Sequence, residues 1–221
     1  AAFGLASLLF TEMVHKIKAL CLEAFKRQWM IPVFGGLAII GLTFLAGKPD
    51  YLSLGVDPEY HGAVTVQSAF HTGGADAWSW LWKTVNTTIT VGTGFKGGEV
   101  TPLFYIGATL GNTLAGLLNA PVSLFAALGF IAVFAGATNT PLACTIMGVE
   151  LFGGEYIMYF AVACFTAYFF SGHTGIYSAQ RIAVTKIARG RSAEDGSVRG
   201  AALWREYLYH KVKRYFLSSG K

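Results

Sequence analysis

The sequence predicts an all-α membrane protein built from short, interrupted helices, and three observations carry that prediction. The first is composition: 53% of the 221 residues are hydrophobic and only 13% are charged, against about 25% charged in a typical soluble domain. The second is segregation of charge, which crowds into residues 11 to 28 and 181 to 221 and is absent from residues 100 to 149. The third is the length of the apolar segments. A spanning helix needs about 20 apolar residues, and most segments here are shorter.

Taken in order, residues 3 to 28 read as a helix that begins apolar and ends basic and amphipathic. Residues 30 to 47 form a second apolar segment. Residues 48 to 75 are polar and turn-rich (Lys48-Pro49-Asp50, Asp57-Pro58, Gly73-Gly74), a loop with room for one short helix. Residues 76 to 91 start with Trp78, Trp80 and Trp82, the composition of an interfacial anchor. They continue with Asn86, Thr87, Thr88 and Thr90, too polar for a lipid-facing helix, so this helix is expected to face the protein interior.

The following apolar segments cover 103 to 118, 122 to 135, 142 to 152 and 156 to 171, with breaks at Asn119-Ala120-Pro121, Gly136 to Pro141 and Gly153-Gly154. Interrupted helices are tolerated at membrane depth only where the freed backbone is buried in protein or lines a cavity, so the breaks themselves point to a site. Gly107, Gly111 and Gly116, with Ala108 and Ala115, are expected to let helix backbones approach closely. A last helix is expected from Gly175 to about Ala188, basic at its C-terminal end, where positive charge suits the macrodipole. The polar tail from Gly190 ends in Trp204, Tyr207, Tyr209, Lys211 and Arg214, a composition suited to a membrane surface.

The formal net charge of +5 lies in two patches, Lys16, Lys18, Lys26 and Arg27, and then Arg181, Lys186, Arg189 and Arg191 onward. Positive-inside topology explains both with fewer assumptions than nucleic-acid binding and puts both patches on the cytoplasmic side. The three cysteines and five histidines are dispersed, without metal-ligand spacing, so neither a metal centre nor a cofactor is expected. The chain opens inside an apolar segment without an initiator Met, which raises the expectation of a preceding N-terminal part.

Residues 92 to 102, Gly-Thr-Gly-Phe-Lys-Gly-Gly-Glu-Val-Thr-Pro, are the densest in chemistry. Gly92, Gly94 and Gly97 match a dinucleotide-loop spacing, but that fingerprint requires a βαβ context and a ribose-binding acid downstream. Between Glu99, within the stretch itself, and Glu150 no acid occurs. An anion site fits better: Gly97 and Gly98 clear side chains from a turn, Pro102 sits near a first-turn position, and the amides of Glu99, Val100 and Thr101 are left free at a helix N-terminus. Glu99, a carboxylate beside a long apolar run, is costly at depth unless paired, hydrated or protonated, and such residues relay protons. Tyr177, after Ser171-Gly-His-Thr-Gly-Ile, would present a phenolic hydroxyl. An intramembrane enzyme using Glu99 and His173 is disfavoured, because neither has a second histidine or a nucleophile beside it in sequence.

At this point the pattern resembles the CLC family of chloride channels and anion/proton antiporters. The residues that carry the resemblance are Gly98-Glu99-Val100-Thr101-Pro102 in place of the family's Gly-x-Phe-x-Pro, Ala137 to Leu142 as a helix start, and Tyr177 in Thr174-Gly175-Ile176-Tyr177. It covers nearly all of residues 1 to 190 and matches the C-terminal half of the family's inverted-repeat fold. Gly-Glu-Val-Thr-Pro looks like the fluoride/proton antiporter branch. The resemblance implies anion contacts from Gly98, Glu99, Val100, Thr101 and Tyr177, with Glu99 as a proton carrier. It also implies exchange of fluoride for protons, with a chloride channel or chloride/proton antiporter as the alternative.

Further implications are a homodimer, a missing N-terminal half that carries the gating glutamate, and a multi-pass position in the bacterial inner membrane with a cytoplasmic C-terminus. Residues 1 to 189 would be the transmembrane domain and residues 190 to 221 a cytosolic or membrane-surface tail.

Overall fold

A computed structural model describes residues 1 to 52, 54 to 58, 60 to 177 and 180. Of the last helix expected from Gly175 to about Ala188, Gly175 to Tyr177 and Gln180 are not helical, and the rest of it, the second basic patch and the tail lie outside the described residues. Among the described residues the protein is helical without strands. Seven α-helices follow one another: α1 Ala2–Ala24, α2 Met30–Ala46, α3 Ser79–Gly92, α4 Val100–Leu118, α5 Val122–Thr138, α6 Pro141–Phe152 and α7 Ile157–Phe170, with 3-10 turns at Ser68–Phe70 and Gly154–Tyr156. Among the described residues no helix is both long and apolar enough to cross a membrane by itself, in keeping with the short segments of the sequence.

The expected breaks are helix ends with identifiable chemistry. Asn119 and Asn139 close α4 and α5 in the left-handed conformation, with φ of 50° and 59°. Asparagine tolerates that region better than most residues. Pro141 then opens α6 in its first turn, where its missing N–H costs no helical bond.

The centre is the antiparallel pair α4 and α5, which share the most extensive helix contact. A β-carbon on Gly107 would collide with the Gly129 carbonyl, and one on Gly129 with that of Gly107. Gly111 abuts the Phe125 carbonyl in the same way. The stripe expected from sequence therefore works at Gly107 and Gly111. Gly116 does not belong to it, since nothing lies within 4 Å of where its β-carbon would be. Phe104 stacks on Phe130 with ring centroids 4.0 Å apart, filling the space beside the glycines. Helix α1 packs across α5, α3 and α7, burying Ala6 and Phe10 against Leu103, Ile106 and Val133.

The outer faces are apolar. Val33, Leu37, Ile40 and Phe44 of α2 are exposed, as are Met158, Val162 and Phe165 of α7. Such faces suit lipid or another apolar protein surface. In α3, by contrast, Thr84, Asn86, Thr87 and Thr88 are buried, as their polarity requires. Thr84 and Thr90 donate to the carbonyls of Trp80 and Asn86. Only Trp78 of the three tryptophans keeps an exposed position. Trp80 packs on the core and Trp82 stacks on Tyr51, whereas Trp78 is the residue before the helix.

Candidate anion site at the α4 N-terminus

Five chain segments end together at one end of the bundle: the C-terminal half of α1, the end of α3, the start of α4, the end of α5, and residues 171 to 177. Helix α1 reaches this end beside α3. A β-carbon on Gly92 would come within 2.6 Å of the Ile17 side chain and 3.5 Å of the Lys18 nitrogen.

From Gly92 the chain passes through Thr93 and the exposed residues Gly94 to Gly98 before α4 starts at Val100. The turn is made at Gly94, whose φ is +94°. Gly97 and Gly98 have no positive φ, and their missing side chains face open space. Their contribution is thus clearance in front of α4. Glu99 is the N-cap residue, with no side-chain capping bond. Its carbonyl accepts from Leu103 N at 3.3 Å. Pro102 is buried in the first turn of α4. The amides of Val100 and Thr101 have no acceptor among the described residues, the arrangement that makes a helix N-terminus receptive to anions.

Residues 171 to 177 are strapped to the same end. Ile176 N donates to the Ala137 carbonyl at 2.9 Å, one of the last carbonyls of α5. Thr174 shares a 3.3 Å hydroxyl contact with Thr11. Gly175 packs so closely on the Asn139 side chain that a β-carbon would come within 2.7 Å of Nδ2. Gln180 closes the strap: it accepts from Asn139 at 3.1 Å and donates to the Thr138 carbonyl at 3.0 Å. Tyr177 lies between these ties, 51% exposed, with its carbonyl accepting from Gln180 N at 3.1 Å.

The two parts of the site are joined through α1. His15 meets the Gly175 carbonyl through Nε2 at 3.2 Å, and both His15 and Lys18 lie within electrostatic reach of the Glu99 carboxylate. The structure thus brings Glu99, Val100, Thr101 and the Tyr177 strap to one end, with His15 between them. Sequence reasoning missed the contacts that His15, Asn139 and Gln180 make here, having read Asn139 only as part of a helix break. Their signal was weak, since each is a single polar residue whose partner is far away in the chain.

A second polar centre escaped the sequence reading too. Lys83 is 1% exposed. It donates to the Tyr51 carbonyl at 3.3 Å and stands 5.0 Å over the Tyr105 ring. Nearby, Asp50 accepts from Val64 N at 3.1 Å. This cluster ties the 48 to 78 loop to α3 and α4. The available signal was Lys83 itself, the one charge within Ser79–Gly92.

The family model described as voltage gated chloride channel matches residues 1–172. The chain belongs to this family, the CLC anion channels and antiporters. It is similar to a chloride/fluoride channel protein of Pseudomonas syringae pv. tomato, with 48% identity over 185 residues that cover 83% of this chain and 40% of that protein. Its fold is that of a crystallised CLC-type fluoride/proton antiporter, at 36% identity and a TM-score of 0.71, over 80% of this chain and 43% of the other. The chain spans less than half the length of either relative.

Proposed function

We propose that this chain supplies one half of an anion pathway that exchanges fluoride for protons. The observation that carries the reading is the convergence at one end of the bundle of the open α4 N-terminus, with unbonded amides on Val100 and Thr101, and the Tyr177 strap. Fluoride is small and strongly hydrated, so a selective site must replace its water with several convergent donors. The amides of Glu99 and Val100, the Thr101 hydroxyl and the Tyr177 hydroxyl are that set, with Gly98 keeping the approach clear. The α4 dipole adds a fixed positive end. Glu99, beside the anion path at the N-cap, takes up and releases the exchanged proton. Both relatives carry fluoride in their descriptions, which supports this substrate.

Export is the proposed direction. A companion N-terminal segment supplies the rest of the pathway, and two copies form a dimer with one pore each. The basic residues Lys16, Lys18 and Lys96, on the segments that form the site end, support a cytoplasmic position for that end in a bacterial inner membrane. Residues 1 to 189 then form the transport domain and residues 190 to 221 its cytosolic or membrane-surface tail.

The test is efflux from liposomes that hold this polypeptide joined to its companion segment, with fluoride, chloride and proton flux recorded together. Fluoride flux coupled to opposing protons, with little chloride, is expected. Chloride flux equal to or faster than fluoride would replace the substrate with chloride and make the chain part of a chloride channel or chloride/proton antiporter.

A further inference from the structure

His15 belongs to none of the anion contacts, yet it bridges the two parts of the site. It lies in the C-terminal half of α1 and is exposed. Its Nε2 is 3.2 Å from the Gly175 carbonyl. A carbonyl only accepts, so Nε2 carries the hydrogen and Nδ1 holds the lone pair in the neutral ring. On the same helix face, three residues away in each direction, stand Glu12 and Lys18. Glu99 is within electrostatic reach of both His15 and Lys18.

We propose that His15 is a proton-relay residue, passing protons between the water at this end of the bundle and the Glu99 carboxylate. The inference rests on the reading of the chain as part of a fluoride/proton antiporter. The step balances simply. Water delivers a proton to the Nδ1 lone pair and the ring becomes imidazolium, with Nε2 still donating to Gly175. The Nδ1–H bond then breaks as an O–H bond forms on Glu99, directly or through one water, and the ring returns to its neutral tautomer. Imidazole suits this work because its ordinary titration range spans neutral pH.

The anchor on Gly175 has a second consequence: the relay is attached to the strap that carries Tyr177, so proton position and anion position share one backbone. The other charged or titratable groups on elements around His15 are few. They are Glu12, Lys16, Lys18, Cys21 and Glu23 on α1, Lys96 and Glu99 on the approach to α4, and His173 and Tyr177 on the strap. Helix α5 carries none, α3 carries Lys83, α4 carries Tyr105, and α7 carries Tyr159, Cys164 and Tyr168. None of these except His15 and His173 is an imidazole.

The experiment compares wild type with His15→Gln and His15→Ala in the joined, liposome-reconstituted transporter. Fluoride and proton flux are followed from pH about 5 to 8, and fluoride binding is measured in detergent by calorimetry. His15→Gln keeps a donor for the Gly175 carbonyl but cannot titrate. We expect fluoride affinity within about twofold of wild type, exchange slowed at least about tenfold, and a flattened pH profile. An unchanged rate and profile in His15→Gln overturns the relay. A parallel fall in affinity and flux with the wild-type pH profile retained also overturns it, since that is a structural role. Wild type showing no fluoride-coupled proton flux would remove the functional reading itself and the relay with it, before any variant is compared.

Discussion

The Asn139 side-chain amide donates to the Gln180 side-chain oxygen at 3.1 Å, joining two residues separated by α6 and α7. Asn139 is the left-handed residue that ends α5, and Gln180 follows Tyr177 by three positions. The bond therefore fixes the tyrosine relative to a helix break, and the second bond from Gln180 to the Thr138 carbonyl completes a two-point clasp.

Removing the clasp should loosen the strap without unfolding the bundle. A buried hydrogen bond is worth about 1 kcal/mol net, with a further penalty for an orphaned partner. Gln180→Ala is expected to weaken fluoride binding about tenfold, as measured by calorimetry, while the thermal midpoint in detergent changes little. An unchanged affinity would show that Tyr177 is positioned without Gln180.

At the α4–α5 crossing the expectation is reversed, with stability affected first. Gly107→Ala would drive a methyl group into the Gly129 carbonyl, and neither backbone can yield without displacing its helix. Overpacking of this kind typically costs about 1–3 kcal/mol. Detergent-solubilised Gly107→Ala should show a clearly lower thermal midpoint, while Gly116→Ala, with open space at that position, should match wild type. Equal midpoints for the two variants would contradict the close approach.

Lys83 and Lys48 offer a contrast between buried and exposed cations. Lys48 pairs with Asp76 at 2.8 Å at an exposed position, and exposed pairs contribute about 0–1 kcal/mol. Lys83 is buried and satisfies the Tyr51 carbonyl. Lys83→Met should therefore destabilise the protein by about 1–3 kcal/mol and do so equally at low and high salt. Lys48→Ala should have a small effect that fades with salt. A Lys83→Met protein as stable as wild type would mean the 48 to 78 loop is held by other contacts.

How far the sequence was legible follows from which forces are local. The boundaries of α4, α5 and α6 were readable because Asn119, Asn139 and Pro141 end or start helices through their own backbone preferences. The interior face of α3 was readable from its threonines. The Gly107 contact was readable as a stripe at Gly107 and Gly111, four residues apart, but Gly116 follows after five residues, which turns it to the opposite side of the helix, where it has no neighbour. That Gly94 carries the positive φ of this stretch was not legible, since nothing local separates it from Gly97. The start of α4 was legible at Glu99 to Thr101, where glycines, a carboxylate and a first-turn proline lie in consecutive residues. The His15 contact with Gly175 spans most of the chain and was not legible at all.

Glu99 and Tyr177 separate the two halves of the proposed exchange. Tyr177→Phe removes one hydroxyl donor and leaves the ring, so the loss is confined to the anion. Loss of a hydrogen bond to a charged group is worth about 1.5–3 kcal/mol, so fluoride affinity should fall about tenfold or more, with the remaining flux still coupled to protons. Glu99→Gln keeps the size of the side chain and the amides of Val100 and Thr101 but removes the proton acceptor. Fluoride should still bind, as judged by calorimetry, while proton movement ceases and fluoride flux either stops or becomes uncoupled. Recording both ions in one liposome assay separates these outcomes. If Glu99→Gln retains wild-type coupling, the proton travels by another route, and if Tyr177→Phe binds fluoride as wild type does, the anion is held by α4 alone.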